Sequence, residues 1–498
     1  MSLQARALDP LVELEQIGSA VIPFERFKAD QYAILREAIG SAQVVLLGEE
    51  THGTEEFYRI RADICKALIE REGFSAVLCE ADFPAFYELN RYIGAAPLAR
   101  CTRGKSTKSG PSTTEEAMEK LKTRFPVWMW RNEAFHEFVG WLKEHNQNRG
   151  REERSLVHLN GLDIYSMFES ADEVIKYLEQ VDDNLAAEAR KRYETLGTFR
   201  PEAADYCRAI FQGKISSQAP QVASMLASLN AMSMELSGME GDGDEFFNAV
   251  ENARVVGAAE EYYRKSYMGG NVTWNIRDDA MVKMIEHMID FQERKCKSMG
   301  ISQRPRVLVW AHNSHVGDAL ATEHHERRQF NVGRLVRAKY GYDNSFIVGF
   351  STFSGTVRAA RSWNGRDYLM DLNESLPGST GHLFHRVAKQ LNMPDLAVVT
   401  RTNSSRGLTS EQLACRQVLN AQRLERFVGV QYIKRTERQS HYSYCSIGEQ
   451  FDTIIHIDKT SAVKVLQQSR STSPRPGTID YRKFENFDES AGSEEDCI

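Results

Sequence analysis

The sequence predicts an α/β fold: a mostly parallel central β-sheet flanked by helices, with a large helical insertion forming a cap. Three observations carry this. Short apolar runs alternate with long helical patterns, the rhythm of repeated strand–helix–strand units. The apolar runs are continuous stretches of Val, Ile and Leu, which suit strands covered on both faces. That rhythm stops in the middle of the chain, where only helical material occurs.

Taken in order, VVLLGE (44–49), SAVLCE (75–80) and LVHLNGLD (156–163) read as buried strands. Between the first two, TEEFYRIRADICKALIEREG has helical apolar spacing and Gly73 offers a stop. Strand, helix, strand implies a parallel unit, which sets two neighbouring strand ends side by side. From about 167 to 299 come amphipathic helices, among them ADEVIKYLEQV and DDAMVKMIEHMIDFQERK. An insertion here divides one α/β domain into two halves and caps the strand ends, where open α/β sheets bind ligands. Strands then resume at RVLVWAH (306–312), SFIVGF (345–350), LAVVT (396–400), FVGVQYI (427–433) and DTIIHID (452–458). The expected organisation is an N-terminal segment 1–24, a catalytic domain 25–466 and an acidic tail 467–498. The tail is rich in Ser, Pro and acid, a composition that predicts disorder.

The 498-residue chain is 42% hydrophobic and 26% charged, enough apolar material for a large core. Its 62 basic and 69 acidic residues leave a net charge of -7, which offers no broad field for phosphate backbones and argues against nucleic acid. No apolar stretch approaches the ~18 residues of a membrane span. Asp and Glu occupy the N-terminal stretch where a signal peptide is apolar, and Cys497 sits too near the end for a prenylation box. The expected location is cytoplasmic. Eight scattered cysteines form no C-x-x-C pair and are expected to be reduced, mostly buried thiols.

Three motifs carry the chemistry. GEETHG (48–53) lies between a strand and a helix. Glu49 there can accept a hydrogen bond from His52 and fix its tautomer. A helix-capping role explains Thr51, Thr54, Glu55 and Glu56 but leaves His52 and Gly53 without one. SAVLCEADFP (75–84) puts Glu80 at the matching place on the next strand. RVLVWAHNSHVGD (306–318) ends a strand with His312 and His315. Two carboxylates and histidines at one edge suit proton transfer or metal binding, although H-N-S-H is not the helical zinc-protease motif. Arg61 lies nine residues beyond His52 and can reach a substrate oxygen or a site carboxylate. Asp163 follows another strand, and Arg277 and Asp278 read as helix-start charges. The sequence has no G-x-S-x-G elbow, no Walker A loop and no G-x-G-x-x-G after a strand, which argues against a serine α/β-hydrolase and against nucleotide sites.

Together GEETHG, CEADFP and WAHNSHV resemble the erythromycin esterase family in order and spacing. PVWMWRNEAFHEFVGWLKEHN, GLDIYS, NIRDDAM, NVGRLVRAKYG and ERQSHYSYCSIGEQFDTIIHID add to the likeness, which spans about residues 25–460. The resemblance implies His52 as the catalytic histidine, Glu49 and Glu80 as site glutamates, Arg61 as the site arginine that binds substrate, and His312 and His315 as the late histidine pair. It implies a hydrolase that needs no metal and has no other cofactor, acting on a small-molecule ester, lactone or thioester such as a macrolide. In the expected mechanism His52 draws a proton from water that attacks the carbonyl. Acyl transfer or lactone formation at the same site is the alternative, as is a metal-dependent hydrolase with Glu49, His52, Glu80 and the histidine pair as ligands. A non-enzymatic binding protein for a small ligand or haem is the third reading.

Overall fold

Alternation along the central strands explains their double burial. Val45, Leu47, Val77, Cys79, Leu308 and Trp310 join one buried cluster. Val44, Leu46, Ala76, Leu78, Val307 and Val309 join a second on the opposite face. Successive strand side chains point to opposite faces, so an unbroken apolar run feeds two cores at once. Helices cover both.

The computed structural model describes residues 10–96, 110–123, 126–149, 156–236 and 243–466; the acidic tail expected at 467–498 lies outside them. Among the described residues the strands are β1 (Ile22–Pro23), β2 (Val44–Leu47), β3 (Ala76–Asp82), β4 (His158–Asp163), β5 (Val307–Trp310), β6 (Ser345–Ala360), β7 (Asp367–Leu372), β8 (Asp395–Val399), β9 (Arg423–Arg426), β10 (Tyr442–Cys445) and β11 (Thr453–Thr460). The main sheet runs β1-β8-β11-β6-β2-β5-β3-β4, with β7 paired to β6. From β11 through β6, β2, β5 and β3 to β4 every pairing is parallel. β1, β8 and β7 are antiparallel additions. This is the mostly parallel sheet that the apolar runs predict.

Four sequence expectations change. β2 and β3 are not neighbours, because β5 lies between them and pairs with both: Val307 faces Val44 on one side and Ala76 on the other. FVGVQYI is not a strand of the sheet. Val428 and Gln431 make single bridges to Thr51 and Ala360, and the buried run clamps loops instead of extending a ladder. Residues 10–23 are not a separate segment: Leu14 and Ile17 are buried in the sheet-face core and β1 pairs with β8. The insertion is helical throughout Met167–Ser298 apart from its turns and the undescribed 237–242, yet it has two parts. The helices from Met167 to Lys265 build their own core. The Gly270–Ser298 helix buries Met281, Met284, Ile285 and Met288 against the sheet.

Candidate active site

The site lies at the carboxyl ends of β2, β5 and β3, and glycine makes the first loop possible. A Cβ on Gly53 would sit 1.9 Å from the carbonyl oxygen of Arg358, so only glycine lets β6 pass this close. The Gly53 carbonyl accepts the Arg358 and Val463 N–H groups at 3.1 and 2.9 Å. Thr54 is the N-cap of the Glu55–Glu72 helix but makes no side-chain cap bond. Its hydroxyl meets that of Thr51 instead. The loop is therefore pinned by backbone contacts rather than by the capping the sequence suggests.

Within this loop His52 Nδ1 lies 2.8 Å from Glu49 Oε1. The second Glu49 oxygen accepts a hydrogen bond from Arg61 Nη2. Arg61 is wholly buried, its guanidinium 4.8 Å from the ring centres of Tyr58 and Trp310. Of the two places open to Arg61, a substrate oxygen or a site carboxylate, the described contacts give the second: it stands behind Glu49, packed between two aromatic rings. No described residue bonds His52 Nε2.

His312 follows β5 directly. Its ring centre is 4.8 Å from that of His52. Nε2 lies 3.1 Å from the Glu50 carbonyl, and Nδ1 accepts the Ser314 N–H at 3.3 Å. Those partners require a proton on Nε2 and none on Nδ1. Burial holds the ring well below the usual histidine range, so His312 is a neutral N–H donor.

Glu80 anchors this arrangement. Its Oε2 accepts the His312 backbone N–H at 2.9 Å, and Oε1 meets Arg277 Nη2 at 2.7 Å. Burial opposes ionisation, but His315, Arg277 and His52 outweigh it and hold the carboxyl far below the usual range. Arg277 also grips both oxygens of Asp163, at 3.0 and 2.9 Å. His315 takes Asp278 on Nδ1 at 2.9 Å and stacks on Trp274 at 4.5 Å. Burial lowers its proton affinity, while Asp278 and Glu80 more than offset that and raise it. Against this, Arg277 Nη1 lies 3.0 Å from Nε2. Glu80 Oε1 lies 3.4 Å from the same nitrogen, so Nε2 has both a donor and an acceptor beside it.

The structure thus brings Glu49, His52, Glu80, His312 and His315 together, with Arg61 behind them. Glu49 and Glu80 stand on either side of β5 rather than on adjacent strands. Sequence reasoning missed Arg277 and Asp278. They are not helix-start charges: the helix begins at Gly270, and both lie on its buried face between Trp274 and Met281. Glu50 was missed too; burial pushes it up to about 7 despite its Arg426 partner. Among the described residues no three His, Cys, Asp or Glu side chains are grouped to hold a metal ion. The six described cysteines are free and buried. No described helix is long and apolar enough to cross a membrane.

Residues 69–460 match the family described as erythromycin esterase. Glu80, His312 and His315 fall inside that span; Glu49, His52 and Arg61 precede it. Solved structures share the fold. A Bacillus cereus protein aligns with a TM-score of 0.69 at 19% identity, over 93% of this chain and 100% of its own. A succinoglycan biosynthesis protein aligns at 0.66 with the same identity and coverage. The erythromycin esterase EreC, a histidine-to-asparagine mutant in its open conformation, aligns at 0.57 and 14% identity, over 88% of this chain and 95% of its own.

Proposed function

The chain belongs to the erythromycin esterase family, and from that premise we propose that it hydrolyses an ester or lactone with His52 as general base. The family supports an esterase-type hydrolase of a small, macrolide-like molecule. One observation carries the finer reading: Glu49 holds His52 by Nδ1, which leaves Nε2 to draw a proton from water. As water adds to the carbonyl, the Glu49 carboxylate steadies the imidazolium that forms. Arg61 holds Glu49 in place. His312 offers its Nε2–H to the developing oxyanion, exchanging the Glu50 carbonyl for a better acceptor. A neutral imidazole suits this task because it gives a hydrogen bond without a proton. Glu80, Arg277 and Asp163 hold His312 through its backbone. The imidazolium then returns its proton to the leaving alkoxide.

A metal-free site is favoured by how the carboxylates are spent. Glu49 faces Arg61 and Glu80 faces Arg277, so two guanidinium groups already balance the charge a cation would need. Acyl transfer is the second reading, favoured by the burial of His52 and His312, since a site that excludes water lets an alcohol compete.

A panel of esters, lactones and thioesters, offered to wild type and to His52→Ala, is the test. The variant should keep its circular dichroism spectrum and lose about 10²–10⁴ in rate. Near wild-type turnover by the variant would remove His52 from the mechanism. The same assay after prolonged chelation should give unchanged rates. Activity that vanishes and returns with one divalent ion would make the attacking water metal-activated. Parallel assays with added alcohol separate ester product from free acid.

A further inference from the structure

Tyr58 lies on the Glu55–Glu72 helix, one turn before Arg61, and is wholly buried. Residues three apart share a helix face, and the Arg61 guanidinium packs 4.8 Å from the Tyr58 ring centre. The ring also meets Trp130 edge-on, at 6.0 Å. Each of these neighbours is tied to one site glutamate. Arg61 holds the Glu49 side chain, and Trp130 Nε1 donates to the Glu80 carbonyl at 3.1 Å. Tyr58 is thus lodged between the partners of the two carboxylates that flank β5.

The tryptophans of this cluster spend their N–H groups within the fold: Trp130 on Glu80, and Trp310 Nε1 on Cys65 Sγ at 2.9 Å. The Tyr58 hydroxyl does not. It is closed to solvent and has no hydrogen-bond partner among the described residues. A hydroxyl left in that state destabilises the fold, and phenylalanine would fill the same space without that penalty. Burial pushes the phenol well above its usual range, and the charges of Glu49 and Glu80 push it further against the opposing effect of Arg61. A group that feels both carboxylates is within electrostatic reach of both, and it keeps its proton as a donor. The reaction proposed above has a place for one. A carbonyl oxygen accepts two hydrogen bonds, and His312 gives it only the first. His52 and His312 are buried as Tyr58 is, so water competes little with donors at this edge.

We propose that Tyr58 is a further catalytic residue, donating its hydroxyl to the oxyanion as the second arm beside His312. The inference rests on the hydrolytic reading above. The O–H bond stays intact throughout, and no proton passes from Tyr58 to the substrate. Tyr58→Phe removes one oxygen and keeps the ring against Arg61. Its melting temperature should equal or exceed that of wild type. On the best ester or lactone of the panel, kcat should fall about 10²-fold with KM little changed. The pH midpoint of kcat should not move, because Glu49 and His52 are untouched. A phosphonate analogue of that substrate, which carries the tetrahedral anion, should lose affinity by a similar factor. His52→Ala, assayed in parallel, separates the two readings. Activity that needs His52 but not Tyr58 overturns this inference alone; activity that survives His52→Ala overturns the reading it rests on. A shifted pH midpoint would mean that Tyr58 acts through Arg61 and Glu49. A lower melting temperature would mean that the hydroxyl bonds within the fold, as through a water shared with Arg61 Nη1, which also lacks a partner. Either result overturns the proposal.

Discussion

Glu49 divides its two oxygens between His52 and Arg61. Replacing it by Gln keeps the size and an acceptor oxygen but removes the charge that answers the imidazolium. Glu49→Gln should lower kcat by about 10²–10⁴, as loss of an orienting carboxylate does elsewhere, with KM little changed. Steady-state kinetics on a verified substrate measure both; a loss confined to KM would place Glu49 in binding instead. Glu80 has a different task. Glu80→Ala strips Arg277 of a counter-charge and leaves the His312 N–H unpaired, so it should cost about 3–5 kcal/mol of stability, read by denaturant unfolding. An unchanged midpoint would show that the buried network carries no structural load. The sequence made Glu49, His52, Glu80, His312 and His315 legible because each ends or follows an apolar run. Arg277 and Asp278 were hidden inside a helix, where charge normally means a solvated face. The signal was available: Trp274, Met281, Ile285 and Met288 set out the buried stripe, and Arg277 and Asp278 lie on it.

At the scale of elements, the decisive contact is backbone against backbone. Gly53 touches Arg358 near the carboxyl end of β6, within the stretch that pairs with β7. Gly53→Ala places a methyl group where the Arg358 carbonyl stands, so loop or strand must move. The expected cost is about 1–3 kcal/mol, with a fall in activity larger than the stability loss explains, because His52 is the adjacent residue. Thermal melting and kinetics on the same preparation test this; equal, small losses would show that the loop adjusts freely. Strand identity was legible wherever an apolar run was covered on both faces. FVGVQYI met that criterion and failed, since apolar burial alone does not distinguish a ladder strand from a loop clamp. Its partners, Thr51 and Ala360, are remote in sequence and invisible to local pattern. The two-residue strand β1 and the short β7, β9 and β10 had no long apolar run to announce them.

Across the molecule, buried neutral histidines outnumber charged ones in their effect on acid stability. Burial pushes His324 and His441 down to about 4 and lowers His158, His312 and His456 as well. An unfolded histidine takes its proton near pH ~6.5, while these folded ones do not. Below that pH the unfolded chain binds more protons, so stability falls as the medium is acidified from about 6.5 toward 4. His315 and the raised carboxyls of Glu50 and Glu425 have the opposite sign and offset three of the five. The melting temperature should therefore drop modestly between pH 7 and 5; a rise over that range would mean that the carboxyls outweigh the rings. The two halves of the sheet and the helical middle were legible as a pattern. That the last helix of the middle belongs to the sheet layer was not, because periodicity reveals a buried face but not what buries it.

β5 is the central strand at the candidate site, between β2 and β3, yet it is made late. β2 and β3 leave the ribosome more than 200 residues before Val307 does. Until then neither has its partner on that side, and a slot one strand wide must stay unfilled while β4 and ten of the described α-helices are synthesised. Contacts of such sequence separation are slow to form, and the unpaired edges they leave are sticky. The helices from Met167 to Lys265 have a core of their own and can settle early, bringing the ends of the excursion together. Biogenesis of this chain should therefore depend on holding β2 and β3 apart until translation supplies the strand between them.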